Sequence, residues 1–222
     1  MTVPTSALEG EVAIGEKRLE GMLELPPNPR GLVVFAHGSG SSRFSPRNNL
    51  VAGRLRERGS GTLLFDLLTD SEAQDRRNVF DIPLLADRMA EAVEWARRAT
   101  ETRDLPVGLF GASTGAAAAL VAAANLPGKV SAVVSRGGRP DRSGDALPRV
   151  KVPTLLIVGG ADYGVIALNE AAFARLACKK DLRLVQGARH LFEEPGTLEA
   201  VVEFAAGWFE EHRAPQGDGQ SG

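Results

Sequence analysis

The sequence predicts an α/β fold with a mostly parallel central sheet. Three observations carry that expectation. From about residue 31, short runs that are apolar throughout alternate with amphipathic segments, and runs without polar alternation suit strands covered on both faces. The order reads βαβαβαβαβα, which implies right-handed crossovers within a single sheet. The segments between the apolar runs carry recognisable helix starts and stops.

The elements follow in chain order. Glu11 to Leu25 reads as an edge hairpin, with Val12 and Ile14 before a Gly15-Glu16 turn and Leu19, Met22, Leu23 and Leu25 after it. The first core strand is Gly31–Ala36. Ser45 then caps a helix whose first residue is Pro46, where a missing N–H costs nothing. Leu50, Val51 and Leu55 are expected on its inner face, and Gly59 stops it. Gly61–Asp66 is the next strand. Asp81 caps a second helix with Leu85, Met89, Val93 and Ala96 inward. The strand Leu105–Phe110 leads into a third, alanine-rich helix that opens after Ser113 and closes at Pro127-Gly128. Val130–Ser135 and Pro153–Val158 are further strands, and a fourth helix spans about 165–177. Leu182–Val185 is the last strand. A final helix, about 198–212, turns Val201, Val202, Ala205 and Trp208 or Phe209 inward. Residues 1–213 are expected to form one domain. Residues 214–222 are a Gly/Gln/Ser tail expected to be disordered.

Composition narrows the class of function. The chain has 222 residues, 26 Lys+Arg against 28 Asp+Glu, and a net charge of −2. A nucleic-acid partner would ordinarily require a basic excess, so none is expected. Cys178 is the one cysteine, which excludes an internal disulfide and a Cys-based zinc cluster. The Asp66, Asp70, Glu72 and Asp75 group has no metal-ligand spacing, and no metal is expected. The glycine-rich loops match neither a dinucleotide fingerprint nor a P-loop, so no cofactor is expected. Met1 to Ile14 does not read as a secretory signal. Ala116–Ala124 is too short to span a bilayer. The expected setting is cytoplasmic, away from membranes, as a monomer or homodimer.

The chemistry centres on Gly111-Ala-Ser-Thr-Gly115, a G-x-S-x-G string placed between a strand and a helix. That context resembles the nucleophile elbow of α/β-hydrolases, where a tight turn lifts the serine above the carboxyl ends of the strands. A serine hydroxyl needs a base, and the chain has three histidines. The chain order of such enzymes is nucleophile, acid, histidine. His37 precedes the elbow and His212 lies at the far end of the last helix. His190, just past the last strand, fits. Asp162 follows Leu155-Leu-Ile-Val-Gly-Gly-Ala161 at the carboxyl end of a strand and is the first choice for the acid, with Asp141 in reserve. Two backbone N–H groups should hold the oxyanion. Thr114 supplies one, and the loop His37-Gly-Ser-Gly40 supplies the other, Ser39 first and Gly40 next. His37 is expected to shape that loop. Arg43 and Arg47, just beyond it, are candidates for binding a substrate carboxylate or phosphate, and Arg136 and Arg139 raise the same question. Cys178 is expected to be a packed residue.

From about residue 10 to 212 the chain resembles the α/β-hydrolase superfamily. The His-Gly-Ser-Gly-Ser-Ser run, the elbow, Gly-Gly-Ala-Asp and Gly-Ala-Arg-His are the matching pieces. Its compactness is similar to that of dienelactone-hydrolase-like proteins. Dienelactone hydrolase itself uses a cysteine where this chain has Ser113, which points away from lactones and toward a serine esterase. The implied activity is hydrolysis of small or medium carboxylic esters or thioesters through an acyl-enzyme. Acyl transfer by the same triad and non-catalytic binding of a small ligand are the competing readings. Residues 137–152 leave room for a loop and none for a cap domain.

Overall fold

The computed structural model describes residues 6–213. The tail expected to be disordered, 214–222, lies outside the described residues. The strands are β1 (Leu8–Ile14), β2 (Leu19–Leu25), β3 (Leu32–Ala36), β4 (Gly61–Phe65), β5 (Val107–Ala112), β6 (Ala132–Arg136), β7 (Thr154–Gly159) and β8 (Lys180–Val185). They form one sheet in the order β1-β2-β4-β3-β5-β6-β7-β8. β2 runs antiparallel to both β1 and β4, and the pairs from β4 through β8 are parallel. The predicted fold class holds.

Seven α-helices flank the sheet among the described residues: α1 (Pro46–Glu57), α2 (Asp70–Ala73), α3 (Arg76–Val79), α4 (Ile82–Ala96), α5 (Thr114–Asn125), α6 (Tyr163–Arg175) and α7 (Thr197–Glu211). The core has two layers, as a sheet covered on both faces requires. One joins α4, α5 and α6 to Val34, Leu63, Leu109, Val133 and Leu156. The other joins α1 and α7 to Val33, Leu64, Phe110, Val134 and Ile157. Neighbouring strand residues thus send side chains to opposite layers. The alanines of α5 are almost wholly buried, so this helix lies close against both the sheet and α4.

The expected caps are present. Ser45 Oγ accepts from Asn48 N–H at 3.4 Å, and Asp81 Oδ1 accepts from Leu84 N–H at 3.0 Å. Several details differ from the sequence reading. Leu50 is 42% exposed. The inner face of α1 is Asn48, Val51, Ala52 and Leu55, so the stripe is set by i, i+3, i+4 and i+7 from a polar residue. The short helices α2 and α3 carry too few residues to show a period. The local signal for α2 is a capping box: Thr69 Oγ1 accepts from Glu72 N–H, and Glu72 Oε2 accepts from Thr69 N–H; α3 is capped by Asp75, whose Oδ1 accepts from Arg77 N–H. Residues 140–149 form 3₁₀ turns kinked at Gly144, and no separate cap is evident among the described residues.

Both ends of the described chain lie at the amino-terminal rim of the sheet. Leu8 pairs with Leu25, beside Glu24, which pairs with Thr62 at the start of β4. Arg213 shares a small cleft with Gly31, Pro106 and Gly108.

Candidate active site

Ser113 stands past the carboxyl end of β5, against the chain leaving β3 and β6. Its backbone sits at φ 51°, ψ −121°, a region that L-residues rarely occupy. Two glycines allow the turn. A Cβ on Gly111 would lie 2.7 Å from the Ala116 nitrogen. One on Gly115 would lie 2.7 Å from the Ala36 carbonyl carbon and inside contact with the carbonyl oxygens of Ala36 and His37. These neighbours are backbone and cannot rotate away. Gly115→Ala should therefore lower stability by at least about 1–3 kcal/mol, read as a fall in Tm; an unchanged Tm would mean that the elbow has slack. Ser113 is held further by its N–H, which donates to Arg136 O at 3.2 Å, and by its carbonyl, which accepts from Arg139 N–H at 3.0 Å. Its hydroxyl makes no capping bond to α5.

His190 and Asp162 meet, Nδ1 to Oδ2, at 2.8 Å. Asp162 stands at the N-cap position of α6 yet gives the helix no side-chain cap bond; its carboxylate faces the imidazole instead. The side chains are 40% and 17% exposed, respectively. The pair forms because β7 and β8 stay joined beyond their ends. Gly160 N–H donates to Val185 O at 2.8 Å, and Ala161 N–H to Ala188 O at 2.9 Å. Gly159 permits this crossing, since a Cβ there would lie 2.7 Å from Arg189 O. His190 also passes over Gly137, where an added Cβ would lie 3.8 Å from its Cε1. Gly137 directly follows Arg136, the residue bonded to Ser113 N–H. The reserve acid, Asp141, is bound by Arg139 at 2.9 and 2.8 Å, and that guanidinium holds its pKa below the ordinary value.

The two expected oxyanion donors touch each other. Ser39 N–H donates to Thr114 Oγ1 at 2.9 Å, so the side chain of one donor residue engages the N–H of the other. Thr114 N–H begins α5 and has no acceptor inside the helix. Gly38 packs against Ser113, with its virtual Cβ 3.8 Å from Ser113 Oγ. His37 is pinned: Nδ1–H donates to Gly38 O at 3.0 Å and Nε2 accepts from Leu67 N–H at 3.2 Å. Burial lowers its pKa, which suits a neutral imidazole bracing the loop. A cavity of about 180 Å³ opens beside Ser39 and Thr114, lined by Leu67, Leu68, Val79 and Leu85 with Asp66 and Asp70.

The candidate arginines separate. Arg43 is engaged by Asp66 and Glu20, so its charge is already matched. Arg47 pairs with Glu193 at 3.1 Å. Arg136 is buried, while Arg139 serves Asp141. Cys178 is half-buried, and burial raises its thiol pKa. No cluster of three or more His, Cys, Asp or Glu among the described residues could hold a metal. No helix among them is long and apolar enough to cross a membrane.

A serine at a strained strand–helix turn, with a His–Asp pair past the ends of β7 and β8 of the same sheet, is the layout of an α/β-hydrolase. The comparisons agree. The family described as alpha/beta hydrolase domain matches residues 29–201. A solved dienelactone hydrolase from Anabaena variabilis is 52% identical, with TM-score 0.89, covering 94% of this chain and 99% of that one. Est1E from Butyrivibrio proteoclasticus shares the fold at 16% identity and TM-score 0.76, over 93% and 98% of the two chains. A Mycobacterium tuberculosis protein that carries the provisional name phosphoribosyl transferase is 56% identical over 214 residues, 96% of this chain and 48% of its own length. The chain belongs to the α/β-hydrolase family. It spans about half the length of the curated relatives it matches.

Proposed function

We propose that this chain is a serine hydrolase that cleaves small or medium carboxylic esters or thioesters. The observation that carries the reading is the 2.8 Å His190–Asp162 contact, with His190 against Gly137, the residue after the Arg136 carbonyl that accepts from Ser113 N–H. Ser113 Oγ attacks the carbonyl carbon while His190 Nε2 takes its proton. Asp162 accepts from Nδ1–H, fixes the tautomer and stabilises the imidazolium. The tetrahedral oxyanion is held by the N–H groups of Thr114 and Ser39, the latter released from the Thr114 hydroxyl. The C–O or C–S bond then breaks, and His190 returns the proton to the leaving group. Water, activated by the same imidazole, releases the acid and restores Ser113. The small cavity beside the oxyanion donors suits a short acyl or alcohol group. The phosphoribosyl transferase name belongs to a protein about twice as long, and we assign the hydrolytic chemistry to the region that this chain matches.

The test is p-nitrophenyl acetate with rapid mixing. A burst of about one p-nitrophenolate per chain and covalent labelling by a fluorophosphonate are expected. A protein that neither bursts nor labels would be a binder on this fold. An acceptor alcohol that diverts the acyl group from water would instead mark an acyltransferase. Turnover of a soluble short-chain ester should rise hyperbolically with concentration, because no segment among the described residues is built as an opening cover. A jump at the solubility limit would contradict this.

A further inference from the structure

Arg136 ends β6 with its guanidinium nearly sealed from solvent, at 7% exposure. Strand alternation sends it to the α1–α7 face with Ala132 and Val134. There it meets Phe192, whose ring centroid is 5.8 Å from Cζ. It also meets Asn48, whose Oδ1 accepts one long hydrogen bond from Nη2 at 3.4 Å. Nε and Nη1 are buried without a partner. No carboxylate among the described residues pairs with this group. The charge that acts on it is a like one, Arg47, and burial together with that neighbour pushes its pKa down to about 10. The guanidinium therefore stays charged at neutral pH. Arg47 in turn has a buried, unpartnered Nε; its Nη1 is matched only by Glu193, which is 62% exposed. Both residues stand at the first turn of the 12-residue helix α1, whose N-terminus adds partial positive charge. A buried charge without a counter-ion is among the costliest arrangements a fold can carry, and here two cations share one place.

We propose that Arg136, Arg47 and the first turn of α1 form a receptor for a phosphate monoester group. The match is one of charge and of donor count. A phosphate monoester carries roughly −1.5 to −2 charges and three acceptor oxygens. The two guanidinia offer three buried nitrogens without a partner, Nε and Nη1 of Arg136 and Nε of Arg47. A monocarboxylate would neutralise one cation and leave the other. The phosphate would take the place of the Glu193 carboxylate on Arg47 and continue inward to Arg136. Through its backbone Arg136 touches Ser113, and Phe192 lies two residues beyond His190, so an occupied receptor would stiffen both sides of the candidate catalytic site.

Calorimetric titration with inorganic phosphate, at constant ionic strength, tests this without reference to any reaction. Saturable binding of about one phosphate per chain is expected, with acetate at least ten-fold weaker. Arg136→Met keeps the side chain's length without its charge and should bind phosphate at least ten-fold more weakly, while Arg136→Lys should fall between. Because Met removes an unmatched buried charge, the variant should fold; circular dichroism checks this, and Arg47→Met gives a second, more exposed site for the same comparison. No saturable binding to the wild type, undiminished binding in both Met variants, or acetate binding as tightly as phosphate would each overturn the proposal. Fluorophosphonate labelling of Ser113 reports separately on the hydrolase reading, so either can fail alone.

Discussion

Ser113→Ala should lower kcat by about 10⁴-fold or more and abolish fluorophosphonate labelling. The companion variant separates chemistry from strain. Ser113 holds φ 51° with a Cβ attached, an arrangement that costs on the order of 1–3 kcal/mol. Alanine keeps the Cβ and hence the strain, whereas glycine adopts this conformation readily. Ser113→Gly should be as inactive as Ser113→Ala yet melt higher than it. A gain of about 1 kcal/mol would raise Tm by roughly 2–4 °C for a chain of this size. Near wild-type turnover in the alanine variant would remove the serine from the mechanism. Equal melting temperatures would show that the elbow is not strained.

Asp162→Asn should cut kcat by about 10⁴-fold while Asp141→Asn leaves it nearly unchanged. A neutral amide beside Nδ1 leaves the imidazole in the wrong tautomer to accept the serine proton. Asp141 has no such duty, since its carboxylate is held by Arg139. The measurement is kcat for both variants on the same soluble ester, with circular dichroism to confirm folding. The opposite ranking would transfer the acid's role to Asp141 and leave the elbow untouched.

What the sequence made legible, and what it hid, follows from the range of each interaction. The core strands stood out because burial on both faces leaves no polar alternation, as in Leu32–Ala36 and Gly61–Phe65. The juxtaposition of Asp162 and His190 was legible because each follows a strand of one parallel sheet, and adjacent strand ends are neighbours in space. Pairings set by distant register were not. Glu20 reaches Arg43 from β2, which joins the sheet beside β4, and no local pattern in Arg43-Phe-Ser-Pro-Arg announces it. The Thr114 hydroxyl bound to Ser39 N–H links positions 75 residues apart. Gly159 read as an ordinary strand end, whereas its missing Cβ is what lets the His190 loop cross β7. Arg136 sits where a charged residue before two glycines suggests a solvated turn, and only the packing of α1 and Phe192 encloses it.

The placement of the two ends of the described residues has a practical consequence. Leu8 and Arg213 both leave from the amino rim of the sheet, while Ser113, Asp162 and His190 occupy the carboxyl rim. An affinity handle, a solid support or a second polypeptide joined beside Leu8 or Arg213 therefore starts on the side away from the cleft. A support held directly at Leu8 or Arg213 would face the amino rim and leave the elbow turned to the solution.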